Sequence, residues 1–229
     1  TEPHYTYTEF TQLYHISGSP GPTPAEVAAA VDEGRSLGFY IGHGSTTAWG
    51  TSGFDVGDVN NLANGDMLPV VWDVACLNGN FRYGECFAEA WLKKDGGGAV
   101  SFEAATTNES WVPPCVAQRG VVDAIRNETA FTTGGQHIAG KIHLFDSDSS
   151  GESVRFMEQS HLFGSCVMWP RTVPPSTPDE PLDYALSGGV ASLTVTVGGT
   201  PLAKAGGAIV SFYTESERGV NLLGAGLVD

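Results

Sequence analysis

Apolar residues recur along this 229-residue chain at two alternating spacings. Val27, Ala30 and Val31 keep helical spacing. They follow Thr23-Pro24-Ala25-Glu26, where Thr23 caps, Pro24 suits the first helical position and Glu26 completes a capping box, and Gly34 supplies the stop. Leu37 to Ile41, Met67 to Cys76 and Gly98 to Ala105 instead form short continuous runs that read as buried strands, the second broken at once by Asn78-Gly79-Asn80. Between the last two, Glu85 to Lys94 predicts a helix: acid first, Phe87, Ala90 and Trp91 on one face, two lysines, then Asp95-Gly96. A polar loop from Thr106 to Pro114 carries Trp111 and leads to a helix from Cys115 to Arg126, with Val121, Val122 and Ile125 expected to face inward.

Strand and helix thus alternate three times, which predicts an α/β fold: a mainly parallel sheet with helices on both faces. In such sheets ligands bind outside the carboxyl ends of the strands, and His43, Cys76 and the Trp111 loop all fall on that edge.

Composition changes from Arg171 to Pro181, where Val173-Pro174-Pro175-Ser176-Thr177-Pro178 is a stiff, extended linker. One domain is therefore expected over 1–172, a Pro-rich linker over 173–181 and a second domain over 182–229. In that last stretch Leu193, Val195 and Val197 alternate with Thr194 and Thr196, Gly198-Gly199 makes a two-residue turn, and Ile209 to Tyr213 supplies another strand. Three or four strands are expected before Asp229, whereas an immunoglobulin-like sandwich needs about seven, so a partial β-sandwich is predicted.

The formal charge of -15, from 26 acids against 11 bases, argues against nucleic acid or an anionic membrane as partner. No apolar run approaches the roughly 20 residues of a membrane span. Four cysteines without C-x-x-C spacing argue against structural zinc and a disulfide-built miniprotein; Cys86, Cys115 and Cys166 are read as buried and inert. Thr1 to Phe10 has neither a basic nor an apolar leader region, so a signal peptide, if any, is removed or lies upstream.

Cys76 and His43 stand on successive strand ends, a placement that suits a thiol nucleophile beside an imidazole acid/base. Imidazolium next to sulfur favours the thiolate. Glycines flank His43, so the Gly44 N–H can point into the same space and, with the N–H of Cys76, form an oxyanion hole. The spacing equally fits a plain Gly-His-Gly turn and a small buried cysteine.

Two longer blocks add to this. Gly42-His43-Gly44-Ser45-Thr46-Thr47-Ala48-Trp49-Gly50, then Asp73-Val74-Ala75-Cys76-Leu77-Asn78-Gly79-Asn80-Phe81, resemble the His and Cys blocks of the gingipain family of clan CD cysteine peptidases. Cys86-Phe87-Ala88-Glu89-Ala90 and Asn108-Glu109-Ser110-Trp111 are similar to the same family, and the likeness runs from about Ala25 to Thr172. It implies a caspase-like three-layer sandwich, His43 as general acid/base, Cys76 as nucleophile, and the amides of Gly44 and Cys76 as oxyanion donors. It also implies a secreted or bacterial cell-surface cysteine endopeptidase acting on proteins or peptides, with no catalytic cofactor. A sortase-like transpeptidase of the same family and a catalytically inactive scaffold are the alternatives.

The sequence departs from the family at Phe163-Gly164-Ser165-Cys166, where Phe-Gly-Asp-Pro is usual, and the family's acid that orients the histidine lies upstream of this stretch. In the family the loop matching Asn108 to Trp111 lines the primary pocket, and Glu109 stands where a glutamine is found. A carboxylate there implies cleavage after Arg or Lys, with Trp111 as a pocket wall; a solvated Glu109 and a packing Trp111 are the alternative. Asp146-Ser147-Asp148-Ser149-Ser150-Gly151-Glu152 is oxygen-rich like a calcium loop but lacks EF-hand spacing and reads as a solvated acidic loop. The resemblance admits a structural calcium whose metal ligands are unknown. His137 and His143 read as helix surface or packing residues.

Overall fold

The computed structural model describes Tyr5, Tyr7 and residues 9–17, 20–82, 84–175, 177, 179, 183–187, 190–201, 209–216 and 219–227. The chain divides into two compact units, Thr1–Pro174 and Pro175–Asp229.

In the first unit, α1 (Pro24–Asp32) begins as its sequence dictates: Thr23 Oγ1 accepts from the Glu26 N–H at 3.3 Å, and the Glu26 carboxylate accepts from the Thr23 N–H at 2.8 Å. Then come β1 (Leu37–Ile41), β2 (Gly44–Ser45), β3 (Ala48–Trp49), α2 (Val56–Asn60), β4 (Val70–Val74), α3 (Phe87–Lys93) and β5 (Ser101–Ala105). The unit continues with α4 (Val112–Arg126), α5 (Thr133–Ser147), α6 (Gly151–Gln159) and β6 (Ser160–Gly164). The sheet order is β1-β4-β5-β6, with β1, β4 and β5 parallel and β6 antiparallel to β5.

Side chains alternate across β4, and this sorts the core into two layers. Val71 joins Val59 of α2, Phe87 and Trp91 of α3, and Trp49, Phe54 and Phe102 on one face; Val70 and Trp72 join Val121 and Ile125 of α4 on the other. A strand buried on both faces is apolar on both, which is why β4 shows no period-2 alternation, Asp73 excepted.

Several expectations are corrected. Among the described residues β1 stands at the edge of the sheet, and Phe39 and Ile41 are exposed instead of buried. α4 starts three residues early at Val112, with Pro113 and Pro114 in its first turn where their missing N–H groups are not needed. Val122 faces solvent, since Val121 and Ile125 already fill the seam against the sheet. Cys166 is exposed and Cys115 is only partly buried; Cys86 alone of the three is buried.

The second unit contains antiparallel pairs: β7 (Asp183–Ser187) with β8 (Val190–Thr194), β9 (Thr196–Val197) with β10 (Thr200–Pro201), and β11 (Ile209–Ser216) with β12 (Gly219–Leu227). The described residues thus hold six strands where three or four were expected, and the 193–197 alternation is split at Val195 between β8 and β9. Gly198 and Gly199 both have positive φ, at 58° and 76°, and their N–H groups donate to the Asp179 carboxylate at 2.9 and 2.8 Å.

Candidate active site

Parallel pairing sets the site. Ile41 of β1 stands opposite Val74 of β4, and the ladder closes with the Gly42 N–H on Val74 O at 3.0 Å. His43 and Cys76 each lie two residues beyond that last pair, on strands that run about 4.8 Å apart. The chain then leaves β1 through the β2-β3 hairpin, in which Gly44 pairs with Trp49 and Ser45 with Ala48. His43 O accepts from the Gly50 N–H at 2.6 Å and from the Tyr40 hydroxyl at 2.8 Å, so the backbone that carries the imidazole is held on two sides.

Gly44 is pressed against the Cys76 turn. A Cβ there would lie 2.7 Å from Cys76 O and 2.8 Å from both Ala75 Cβ and Asn78 Oδ1, so only glycine lets the two strand ends meet. Leu77, immediately after Cys76, adopts left-handed backbone with φ of 66°, a conformation that costs a non-glycine residue about 1–2 kcal/mol. The turn is kept by the Leu77 N–H on Thr107 O at 3.3 Å and the Gly79 N–H on Ala105 O at 2.9 Å.

The loop after β5 touches both candidate residues. The Glu109 N–H points at Cys76 Sγ at 3.5 Å, and the Trp111 ring meets the His43 ring edge to face with centroids 5.3 Å apart. Gln159, at the end of α6, anchors this loop: its carbonyl accepts from Thr106 N–H and Oγ1 at 2.9 and 3.1 Å, and its amide donates to Asn108 O at 3.0 Å.

Glu109 is not solvated. Both carboxylate oxygens are buried without a hydrogen-bond partner. Burial, and then the charge of Glu103, pushes its carboxyl up to about 8. The residue borders a cleft of about 270 Å³ lined also by Asn108, Ser110, Glu152, Arg155, Phe156 and Gln159. Trp111 is 52% exposed, an open ring surface beside His43 and not a core anchor.

Two further residues were not singled out by their sequence context. Asp73, within the apolar β4, is buried, and its Oδ1 accepts from the Trp49 indole N–H at 2.9 Å. Burial raises its carboxyl well above the usual range, the Trp49 bond opposing and the Glu109 and Glu103 charges adding to the rise. Trp49 in turn stacks on Tyr40 with ring centroids 4.5 Å apart. A carboxyl inside an apolar strand was the available signal. Asn78 read only as a strand breaker, yet it is fully buried and bonded to the β2-β3 hairpin.

The remaining polar candidates have structural surroundings. Asp148 lies before the N-cap Ser150 of α6, accepting from Ser150 N–H, Ser150 Oγ and Ser153 Oγ at 2.9, 2.8 and 2.8 Å, and these bonds hold its carboxyl below the usual range. His137 is buried with Nδ1 3.5 Å from Glu103 Oε2, and His143 is half-buried. Among the described residues, no group of three or more His, Cys, Asp or Glu gathers as a metal site. None of the helices among those residues is long and apolar enough to cross a membrane.

A caspase-like α/β sheet with cysteine and histidine at adjacent strand ends defines a class of peptidase folds, and the family model of peptidase family C25 matches residues 2–169: the chain belongs to that family. It is 35% identical over 181 residues to gingipain R2 of Porphyromonas gingivalis, covering 75% of this chain and 24% of that protein. To gingipain R1 of the same organism it is 36% identical over 181 residues, covering 75% of this chain and 18% of the relative. Among solved structures, the crystal structure of the Arg specific cysteine proteinase gingipain R is similar with TM-score 0.64 and 33% identity, covering 73% of this chain and 40% of the other. The complex of the pro- and mature domains of a Porphyromonas gingivalis gingipain gives 0.69 at 28% identity, over 92% of this chain and 49% of the other. The chain therefore spans a quarter or less of the length of gingipains R2 and R1.

Proposed function

We propose that this chain carries the catalytic centre of a cysteine endopeptidase. The observation that supports it most is the meeting of the two strand ends: His43 and Cys76 at equal depth beyond the Ile41–Val74 pair, with the Gly44 peptide against Cys76 O. Cys76 attacks the peptide carbonyl as thiolate, and the developing oxyanion is met by the N–H groups of Gly44 and Cys76. His43 delivers a proton to the departing amine, leaving an acyl-enzyme. Water, deprotonated by His43, then hydrolyses the thioester and frees Cys76.

Cleavage follows Arg or Lys. The Glu109 carboxylate, buried without a partner, is a poor resting place for a charge and a good one for a cation that arrives with its own N–H donors. Trp111 forms a wall of the same pocket. Family membership further suggests a secreted or bacterial cell-surface enzyme, a structural calcium, and an immunoglobulin-like plan for 182–229 behind the 173–181 linker.

The test is incubation of the full-length protein with peptide libraries varied at the residue before the scissile bond, beside Cys76→Ala and Glu109→Gln, with products identified by mass. The reading expects free-acid products after Arg or Lys, abolished in Cys76→Ala and reduced in Glu109→Gln. New amide products mean transpeptidation, and no turnover in reducing buffer, with or without calcium, leaves an inactive scaffold.

A further inference from the structure

Nothing assigned so far accounts for the burial of Asn78. The residue is 0% exposed and sits two positions after Cys76. Its amide spends both N–H donors on the hairpin that follows His43, giving one to Ser45 O at 2.7 Å and one to Ala48 O at 3.0 Å. Those carbonyls belong to β2 and β3, so a single side chain grips both strands. Its Oδ1 has no partner and faces Gly44, where an added Cβ would be 2.8 Å away. The backbone of Asn78 is itself fixed, its carbonyl accepting the Ala88 N–H of α3 at 3.0 Å.

A hairpin of two residues per strand does not hold its own geometry in water. An unpaired buried oxygen is unfavourable, and an apolar side chain would avoid it. What Asn78 supplies that an apolar residue does not is the pair of donors, and their effect is to clamp β2 onto the Cys76 turn.

We propose that Asn78 is a positioning residue that fixes the Gly44 N–H against Cys76 and so sets the oxyanion hole. This rests on the cysteine peptidase reading above. The clamp acts on an N–H that donates to the oxyanion of the tetrahedral species, not on the sulfur, and it reaches the reaction only through Gly44.

The test compares three readouts in full-length wild type, Asn78→Ala and the near-isosteric Asn78→Asp: peptide turnover, affinity for a peptidyl aldehyde, and alkylation of Cys76 by iodoacetamide. The aldehyde forms a tetrahedral adduct on Cys76 whose oxygen needs the hole; alkylation needs only the thiolate. The expected result is a kcat lower by about 10- to 100-fold, aldehyde affinity lower by the same factor, and KM and alkylation rate within about threefold of wild type. Alkylation that falls in step with turnover, aldehyde affinity that does not change, or failure of both variants to fold overturns the proposal. A wild type that neither turns over peptides nor binds the aldehyde refutes the peptidase reading, and this proposal with it.

Discussion

His43 and Cys76 occupy equivalent positions on neighbouring parallel strands, each two residues past the Ile41–Val74 pair, and the Gly42 N–H on Val74 O at 3.0 Å is the last ladder bond before both. A one-residue slip would turn one of them to the opposite face. The apolar pairs below, Phe39 with Trp72 and Leu37 with Val70, therefore hold the candidate dyad in register from a distance.

Gly44→Ala places a methyl within 2.8 Å of Cys76 O, Ala75 Cβ and Asn78 Oδ1, and backbone on either side must move. A displacement of about 1 Å at the reacting groups lowers turnover about 100-fold. The expected loss of stability is of similar size, about 1–3 kcal/mol. Turnover and thermal melting measured on the same preparation check this.

Glu109→Gln flattens the pH dependence of stability. An unfolded Glu ionises near its ordinary value of 4.5, whereas the folded group keeps its proton until about 8. Between those values the folded state binds more protons, so stability is full below 4.5 and falls as pH rises toward 8. The glutamine variant lacks that fall and gains on wild type across the window. Urea melts from acid to mildly alkaline pH read the slope.

Asp73→Asn keeps an oxygen for the Trp49 indole N–H and should fold and turn over like wild type. With its folded value raised well above 3.8, Asp73 contributes full stability below that pH and loses it as pH rises through the folded value, a loss absent from the amide. Asp73→Ala strands the indole N–H and costs about 1–3 kcal/mol before any cavity is counted. Melting curves of the two variants separate the hydrogen bond from the charge.

Trp111→Ala removes the edge-to-face contact with His43, a type of interaction that contributes about 0.5–1.5 kcal/mol. If that contact orients the imidazole in the transition state, kcat falls about 3- to 10-fold and Trp111→Phe restores most of it. Thermal stability should stay near wild type, because the side chain is 52% exposed. Steady-state kinetics across pH give the split between kcat and KM.

By itself the sequence determined the elements whose signals are contiguous. Thr23-Pro24-Ala25-Glu26 carries the start of α1 in adjacent side chains, Gly34 carries its stop, and the runs of β4 and β5 are read directly because strands buried on both faces show no period-2 alternation, even with Asp73 and Glu103 among them. The His43 and Cys76 blocks were legible for the same reason. Only tertiary structure decided what depends on partners far along the chain. Among the described residues β6 is antiparallel and β1 is outermost because strand order and direction come from how the crossovers close, not from any local pattern. Glu109 looked as much like a loop carboxylate as a pocket one, and it is the protein packed around the loop, with α6 holding Thr106 and Asn108 through Gln159, that takes its oxygens out of water. Asn78 read as the end of a strand; its donors have meaning only once parallel pairing has laid the Cys76 turn against a hairpin whose accepting carbonyls lie 30 and 33 residues upstream.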